Sequence, residues 1–379
     1  LGCLAVFKYA GFFVENLNAV FGASIPVPQI ALPIGISFYT FQALSYTVDV
    51  WRGDVPAQRS FAKLLLYISL FPQLIAGPIV RYSDVAAQID DRQFDASEAF
   101  YGATRFCIGL AKKVLLADAA GKVASQILDG SLASSTTVAA WLGILLYTFE
   151  IYFDFSGYSD MAIGIGRVFG FHFDENFRHP FLCKDITEFW QRWHISLGTF
   201  FRDYVLYIPI FGKRRKYGGL FLVWFCTGLW HGASWNYIIW GLYYGCFVLF
   251  EQLMGKKRMR SIPIVLRHLY NKLVIIIGFG IFYFEDTKKL GIFLKTLFGF
   301  GGNGFSNAIV TTSFQNNVFL ILLALICCFP LLKIPKAMMQ KSPAMHITLS
   351  FAGTLCCVAL LIISSILLVD ATNKPFLYL

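Results

Sequence analysis

Read from its first residue, the chain alternates long apolar stretches with short polar ones. A helix that crosses a bilayer needs about 20 mostly apolar residues. Stretches near that length fall at residues 1–21, 30–50, 61–80, 137–153, 218–253, 262–284, 316–332 and 347–369. The first carries Lys8, Glu15 and Asn16 and reads as the end of a longer helix. No period of 20–50 residues recurs, which excludes solenoids and propellers.

Several segments depart from a plain spanning helix. Between Ser69 and Pro78, Pro72 removes a backbone donor and Gly77-Pro78 favours a turn. Non-helical backbone at membrane depth must be buried in protein or line a wet cavity; the other reading is a helix that ends at the interface. Residues 98–128 are amphipathic, with Lys112 and Lys113 near the middle, and read as an interfacial or cytoplasmic helix. Residues 172–203 form the most polar tract and read as short helices at the cytoplasmic face.

The central apolar run, 218–253, is too long for one crossing. As one helix it would reach about 54 Å, nearly twice the hydrocarbon thickness. Basic clusters flank it, Lys213-Arg214-Arg215-Lys216 before and Lys256-Lys257-Arg258 after. If both are cytoplasmic, the run enters and returns on one side, turning near His231-Gly232-Ala233-Ser234. The competing reading is a single long tilted helix.

Composition agrees with a membrane protein. The 379 residues are 57% hydrophobic and 14% charged, with 39 Phe. Soluble domains carry about 25% charged residues. A net charge of +10 would suggest nucleic acid in a soluble chain, but here the basic residues sit in short loops, the cytoplasmic bias of membrane proteins. Nucleic-acid binding needs a contiguous basic face and is not expected. The nine Cys show no CxxC spacing and read as inert thiols. The chain opens on Leu1 with no charged leader, so further helices upstream are expected.

His231 lies in Gly228-Leu229-Trp230-His231-Gly232. An ionisable group inside a membrane is costly and usually faces a cavity, a partner or a substrate path. Imidazole is the usual general base near neutral pH, and the flanking glycines permit close approach. A packed His bonded to a backbone carbonyl is the competing reading. His194 follows Glu188-Phe189-Trp190-Gln191-Arg192-Trp193. There Glu188, Arg192 and Ser196 share one helical face and Trp190, Trp193 and Leu197 another. On pattern alone His194 is a hydrogen-bonded interface residue. Glu150, Asp154 and Asp160 suit either a proton relay or ion pairs with basic residues of the 178–202 tract.

No Walker loop, no GxGxxG after a strand, no GxSxG elbow and no metal-ligand spacing occurs. A nucleotide-driven pump therefore has no support, and no metal is expected.

Six ordered stretches carry a resemblance: Leu32–Tyr39, Phe71–Arg81, Tyr152–Gly164, Ile186–Leu197, Phe201–Tyr204 and Gly228–Gly232. With them the chain resembles the membrane-bound O-acyltransferases, in particular the alginate O-acetyltransferase branch, over nearly its whole length. The resemblance implies an all-α, polytopic integral membrane protein. Residues 1–379 would form one transmembrane domain with a tunnel and re-entrant or interfacial helices. It also implies acetyl-CoA or another acyl-CoA as cytoplasmic donor, and a polysaccharide acceptor reached from outside. An extracytoplasmic acetyltransferase-type partner, contact with membrane lipid and a multi-pass place in the bacterial cytoplasmic membrane follow likewise. His231 matches the family's catalytic histidine and His194 its second active-site position. Trp190, Arg192 and Asp203 match recurrent positions and are candidates for donor binding. After Ile208-Pro209 the chain runs Ile210-Phe211-Gly212-Lys213-Arg214 in place of the branch's Gly-Gly-Asn-Arg-like loop. The segment leading to His231 is also short for the branch. The function implied is O-acetylation of a cell-surface polysaccharide. D-alanyl transfer to teichoic acids, and a transporter or flippase working through the three carboxylates, are the alternatives.

Overall fold

The computed structural model describes residues 1–379 except 75–76, 131–133, 210–212, 214 and 370–379. Its described elements are helices, without a strand. A helical run from Gly2 through a π-turn at Ala5–Tyr9 leads into α1 (Ala10–Phe21). Then come α2 (Ile36–Arg52), α3 (Phe61–Ser69), α4 (Tyr82–Asp90), α5 (Ala96–Ala111), a π-turn at Lys112–Ala117, α6 (Asp118–Leu128) and α7 (Thr137–Val168). Two short helices, α8 (Ile186–Trp190) and α9 (Ile195–Tyr204), precede α10 (Lys216–His231), α11 (Trp235–Ser261) and α12 (Ile264–Tyr283). The chain closes with α13 (Thr287–Leu297), α14 (Ala308–Cys327), α15 (Lys333–Met339) and α16 (Pro343–Val369). Helices α7, α11, α12, α14 and α16 are long and apolar enough to cross a membrane.

The core is an antiparallel pair. Residues 96–128 form one helical run beside α7, and glycines set the spacing. A Cβ on Gly102 would overlap the Gly164 carbonyl, and one on Gly109 the Gly157 carbonyl. Further along, Gly121 faces Glu150 and Gly143 faces Leu128. Small residues let helix backbones meet in a membrane. The expected interfacial helix at 98–128 is thus corrected: it is packed along a spanning helix for its whole length.

That packing buries charges in pairs. Asp160 accepts from Arg105 at 2.8 Å and Lys112 at 2.6 Å. Lys113 lies 2.6 Å from Asp154 and 2.7 Å from Asp118. Two successive lysines would normally point about 100° apart; the wider π-turn that begins at Lys112 lets both meet α7. The ion pairs expected of Asp154 and Asp160 exist, but their partners come from residues 105–118 and not from the 178–202 tract. Neutralised in this way, α7 runs on to Val168 and does not stop near residue 153.

The break after Ser69 is real. Leu70 is extended, a 3-10 turn covers Phe71–Gln73, and Gly77 has φ 94°. This backbone is buried in protein: Gln73 is fully enclosed, and the Tyr67 hydroxyl donates to the Val80 carbonyl at 3.0 Å. Ile75 and Ala76, within the matching stretch, lie outside the described residues, as does most of the 210–214 loop.

The hairpin reading of 218–253 holds. Helix α10 ends at His231, Gly232 and Ser234 are extended, and α11 starts at Trp235. The two legs cross in contact, since a Cβ on Gly228 would overlap the Tyr237 carbonyl and one on Gly241 the Trp224 carbonyl. Within α11, Gly255 has φ 76° and breaks the helix just before the basic cluster.

Candidate active site

The turn of this hairpin presents His231, and the first helical run holds it in place. The Lys8 ammonium donates to the Trp230 carbonyl and, at 3.2 Å, to Ser37 Oγ. The Tyr9 hydroxyl donates to the Leu229 carbonyl at 2.6 Å. Both donors satisfy carbonyls at the C-terminal end of α10, where a cation also complements the helix dipole. On the far side of the turn, Trp235 Nε1 donates to Asn16 Oδ1 at 2.9 Å. Two of the three polar residues of the first segment, Lys8 and Asn16, thus fasten the turn together with Tyr9.

Aromatic rings enclose the imidazole. His231 lies edge-on to Trp240 at 4.8 Å, Trp230 at 4.9 Å and Phe282 at 5.1 Å between ring centroids. A Cβ on Gly232 would overlap the Tyr237 ring, so the turn needs glycine there. Directly beyond it opens a cleft of about 360 Å³, lined by Phe12, Asn16, Ala233, Ser234, Trp235 and Glu285 among others.

His194 arrives from the polar tract. The expected single helix across 187–197 is two helices, α8 and α9, broken at His194 itself. His194 has φ 45° and ψ 54°, a left-handed conformation uncommon for a residue with a side chain. The expected Glu188–Arg192 pair forms at 2.6 Å, but Ser196 leaves that face and bonds Asn176. The break turns the His194 ring inward, 4.6 Å from Phe155 and 6.0 Å from Trp230. Both histidine rings therefore contact the one indole of Trp230.

The tract is sewn to the hairpin by polar contacts. Glu251 of α11 accepts the Ile186 and Thr187 N–H groups at 2.7 and 2.8 Å and the Thr187 hydroxyl at 2.6 Å. Asp185 caps α8 and pairs with Arg267 of α12 at 3.1 Å.

The other candidate residues separate. Trp190 joins the site through Trp240, 5.5 Å away. The indole N–H groups of Trp190, Trp230 and Trp240 and the Nε2 of His194 are buried without a hydrogen-bond partner among the described residues. Arg192 stands part-exposed on its pair with Glu188. Asp203 lies at the far end of α9, bonded to Arg81 at 2.8 Å and Arg202 at 2.7 Å. Burial pushes the Asp203 carboxyl up, but its bonds from Arg202 and Arg81 outweigh this and hold it below the ordinary value. No metal-ligating cluster occurs among the described residues. Pattern reading missed Lys8, Tyr9 and Asn176, whose partners lie 17 to 222 positions away.

The profile described as MBOAT, membrane-bound O-acyltransferase family, matches residues 22–288. A probable alginate O-acetylase AlgI of Pseudomonas syringae is 44% identical over 306 residues, 79% of this chain and 58% of that protein. Its namesake in Azotobacter vinelandii is 39% identical over 410 residues, 99% of this chain and 82% of the relative. A peptidoglycan O-acetyltransferase of Helicobacter pylori is 38% identical over 273 residues, 64% of this chain and 51% of the relative. The chain thus spans 58% of the Pseudomonas protein's length.

Proposed function

The chain belongs to the membrane-bound O-acyltransferase family, and from that premise we propose that it is a multi-pass membrane enzyme of the bacterial cytoplasmic membrane. It moves an acetyl group from cytoplasmic acetyl-CoA to a hydroxyl bound for a cell-surface polysaccharide. The observation that carries this reading is the approach of two histidines to one indole: His231, at the hairpin turn, and His194, at the α8–α9 break, lie 4.9 and 6.0 Å from the Trp230 ring.

In this reading His231 is the general base. It takes the proton of the acceptor hydroxyl as that oxygen attacks the thioester carbonyl. The tetrahedral intermediate collapses, the C–S bond breaks, and the proton on His231 passes to the departing thiolate. His194 orients the acceptor. The indole N–H groups of Trp190, Trp230 and Trp240 support the assignment, because a carbonyl or hydroxyl oxygen entering the site would meet buried donors that lack partners. The acceptor side opens through the cleft at Ala233–Trp235. The donor side is proposed at the tract bearing Arg192, Asp203 and the flanking basic clusters, which suit an anionic carrier. An extracytoplasmic transferase partner would hand the acetyl group to the glycan.

The test is a proteoliposome assay with labelled acetyl-CoA supplied on one side and acceptor glycan, with the partner, on the other. Label should enter the glycan only when donor and acceptor lie on opposite sides. Labelling from a D-alanyl carrier protein and none from acetyl-CoA would replace acetyl transfer with D-alanyl transfer. Neither label appearing would reject the reading.

A further inference from the structure

Asn176 is fully buried beside His194, and its amide has one orientation only. Its Oδ1 accepts the Ser196 backbone N–H at 3.3 Å and the Ser196 hydroxyl at 2.9 Å. Its Nδ2 donates to Ser159 Oγ at 3.1 Å. Ser196 Oγ also accepts the Ile79 N–H at 2.9 Å. Turning the amide over would set Nδ2 against the Ser196 backbone N–H, donor against donor. The atom 3.2 Å from His194 Nδ1 is therefore an oxygen that can only accept.

Ser196 Oγ also approaches Nδ1 but stands farther off, at 3.5 Å. The nearer group is the accepting Oδ1, which favours the proton on Nδ1, and a neutral ring then bears a lone pair on Nε2. That Nε2 is buried and has no partner among the described residues. Asn176 also fixes the backbone: its carbonyl accepts the Ile195 N–H at 3.0 Å, holding the left-handed turn at His194.

We propose that Asn176 is a positioning residue that locks His194 in the Nδ1–H form, so that Nε2 receives a hydrogen bond from the acceptor. The acceptor then carries a second hydroxyl beside the one that His231 deprotonates, as vicinal sugar hydroxyls do. In this form His194 cannot donate from Nε2 to the oxyanion of the thioester. The identity of the donor hydroxyl rests on the acyl-transfer reading; the tautomer does not.

The test joins a spectrum to kinetics. In 15N-histidine-labelled protein in nanodiscs, with His194 assigned through His194→Gln, Nε2 should resonate as an unprotonated nitrogen. Asn176→Asp keeps the accepting oxygen and should keep that signal and most of the activity. Asn176→Leu should raise the acceptor KM and slow turnover by roughly tenfold or more, leaving the acetyl-CoA KM unchanged. A protonated Nε2 in the wild-type protein would overturn the proposal, as would a folded Asn176→Leu protein with wild-type acceptor KM. If Asn176→Leu does not fold, the wild-type and Asn176→Asp spectra still decide the tautomer. A wild-type protein with the expected tautomer and no transfer would count against acyl transfer alone.

Discussion

Two regions of this protein place ionisable side chains where a bilayer solvates them poorly, and they treat them differently. Along α5–α7 charges pair: Arg105 and Lys112 meet Asp160, and Lys113 meets Asp154 and Asp118, whereas Glu150 lies against Gly121. Glycines at 102, 109, 157 and 164 draw the backbones together around them. Around the α10–α11 turn the two histidines sit among rings and an amide. Aromatic rings enclose His231, one amide holds His194, and three indole donors with the His194 Nε2 stay without partners among the described residues. In the proposed reading the paired charges serve the fold and the cluster of unpartnered donors around the two histidines serves a ligand.

That contrast can be broken at either region. The largest stability effect is expected from Asp160→Asn, which takes from Lys112 the carboxylate it bonds and leaves Arg105 with Glu175 alone. Removing one partner of a buried pair costs about 3–5 kcal/mol, read as lost monodisperse yield and a lower melting temperature in detergent. Activity per folded molecule should stay within about twofold if the ladder is scaffold alone. Gly109→Val comes next: overpacking at a backbone contact costs about 1–3 kcal/mol, again with activity per folded molecule preserved. Lys8→Met should reverse that balance. It removes a charged bond to the α10 terminus worth about 1–2 kcal/mol, and should slow transfer roughly tenfold because His231 loses its placement. The smallest change belongs to Arg192→Ala, whose pair with Glu188 is worth about 0.3–0.5 kcal/mol. A raised acetyl-CoA KM in that variant, with melting unchanged, would place Arg192 on the donor side; an unchanged KM would remove it from the site.

The hairpin and its histidine were legible because length and flanking charge are local properties of the chain. A run of 218–253 with basic residues at both ends has few ways to sit in a bilayer. The break at Pro72 and Gly77 was legible for the same reason. The 98–128 run was misplaced because its amphipathicity faces another helix and not the headgroups. Its lysines are satisfied by carboxylates some 40 to 50 positions on, which periodicity cannot see. The helix break at His194 was hidden because 187–197 has a sound amphipathic pattern, and Asn176 overrides it from outside that window. Lys8 looked like a flaw in a spanning segment for want of its partner, the Trp230 carbonyl.

The division of roles between the α10–α11 turn and the α5–α7 ladder is decided by the initial rate of acetyl transfer, per folded molecule, by His231→Gln in proteoliposomes. An unchanged melting temperature and a rate lower by roughly 10²–10⁴-fold are expected. A folded His231→Gln protein that transfers acetyl at the wild-type rate would contradict that division.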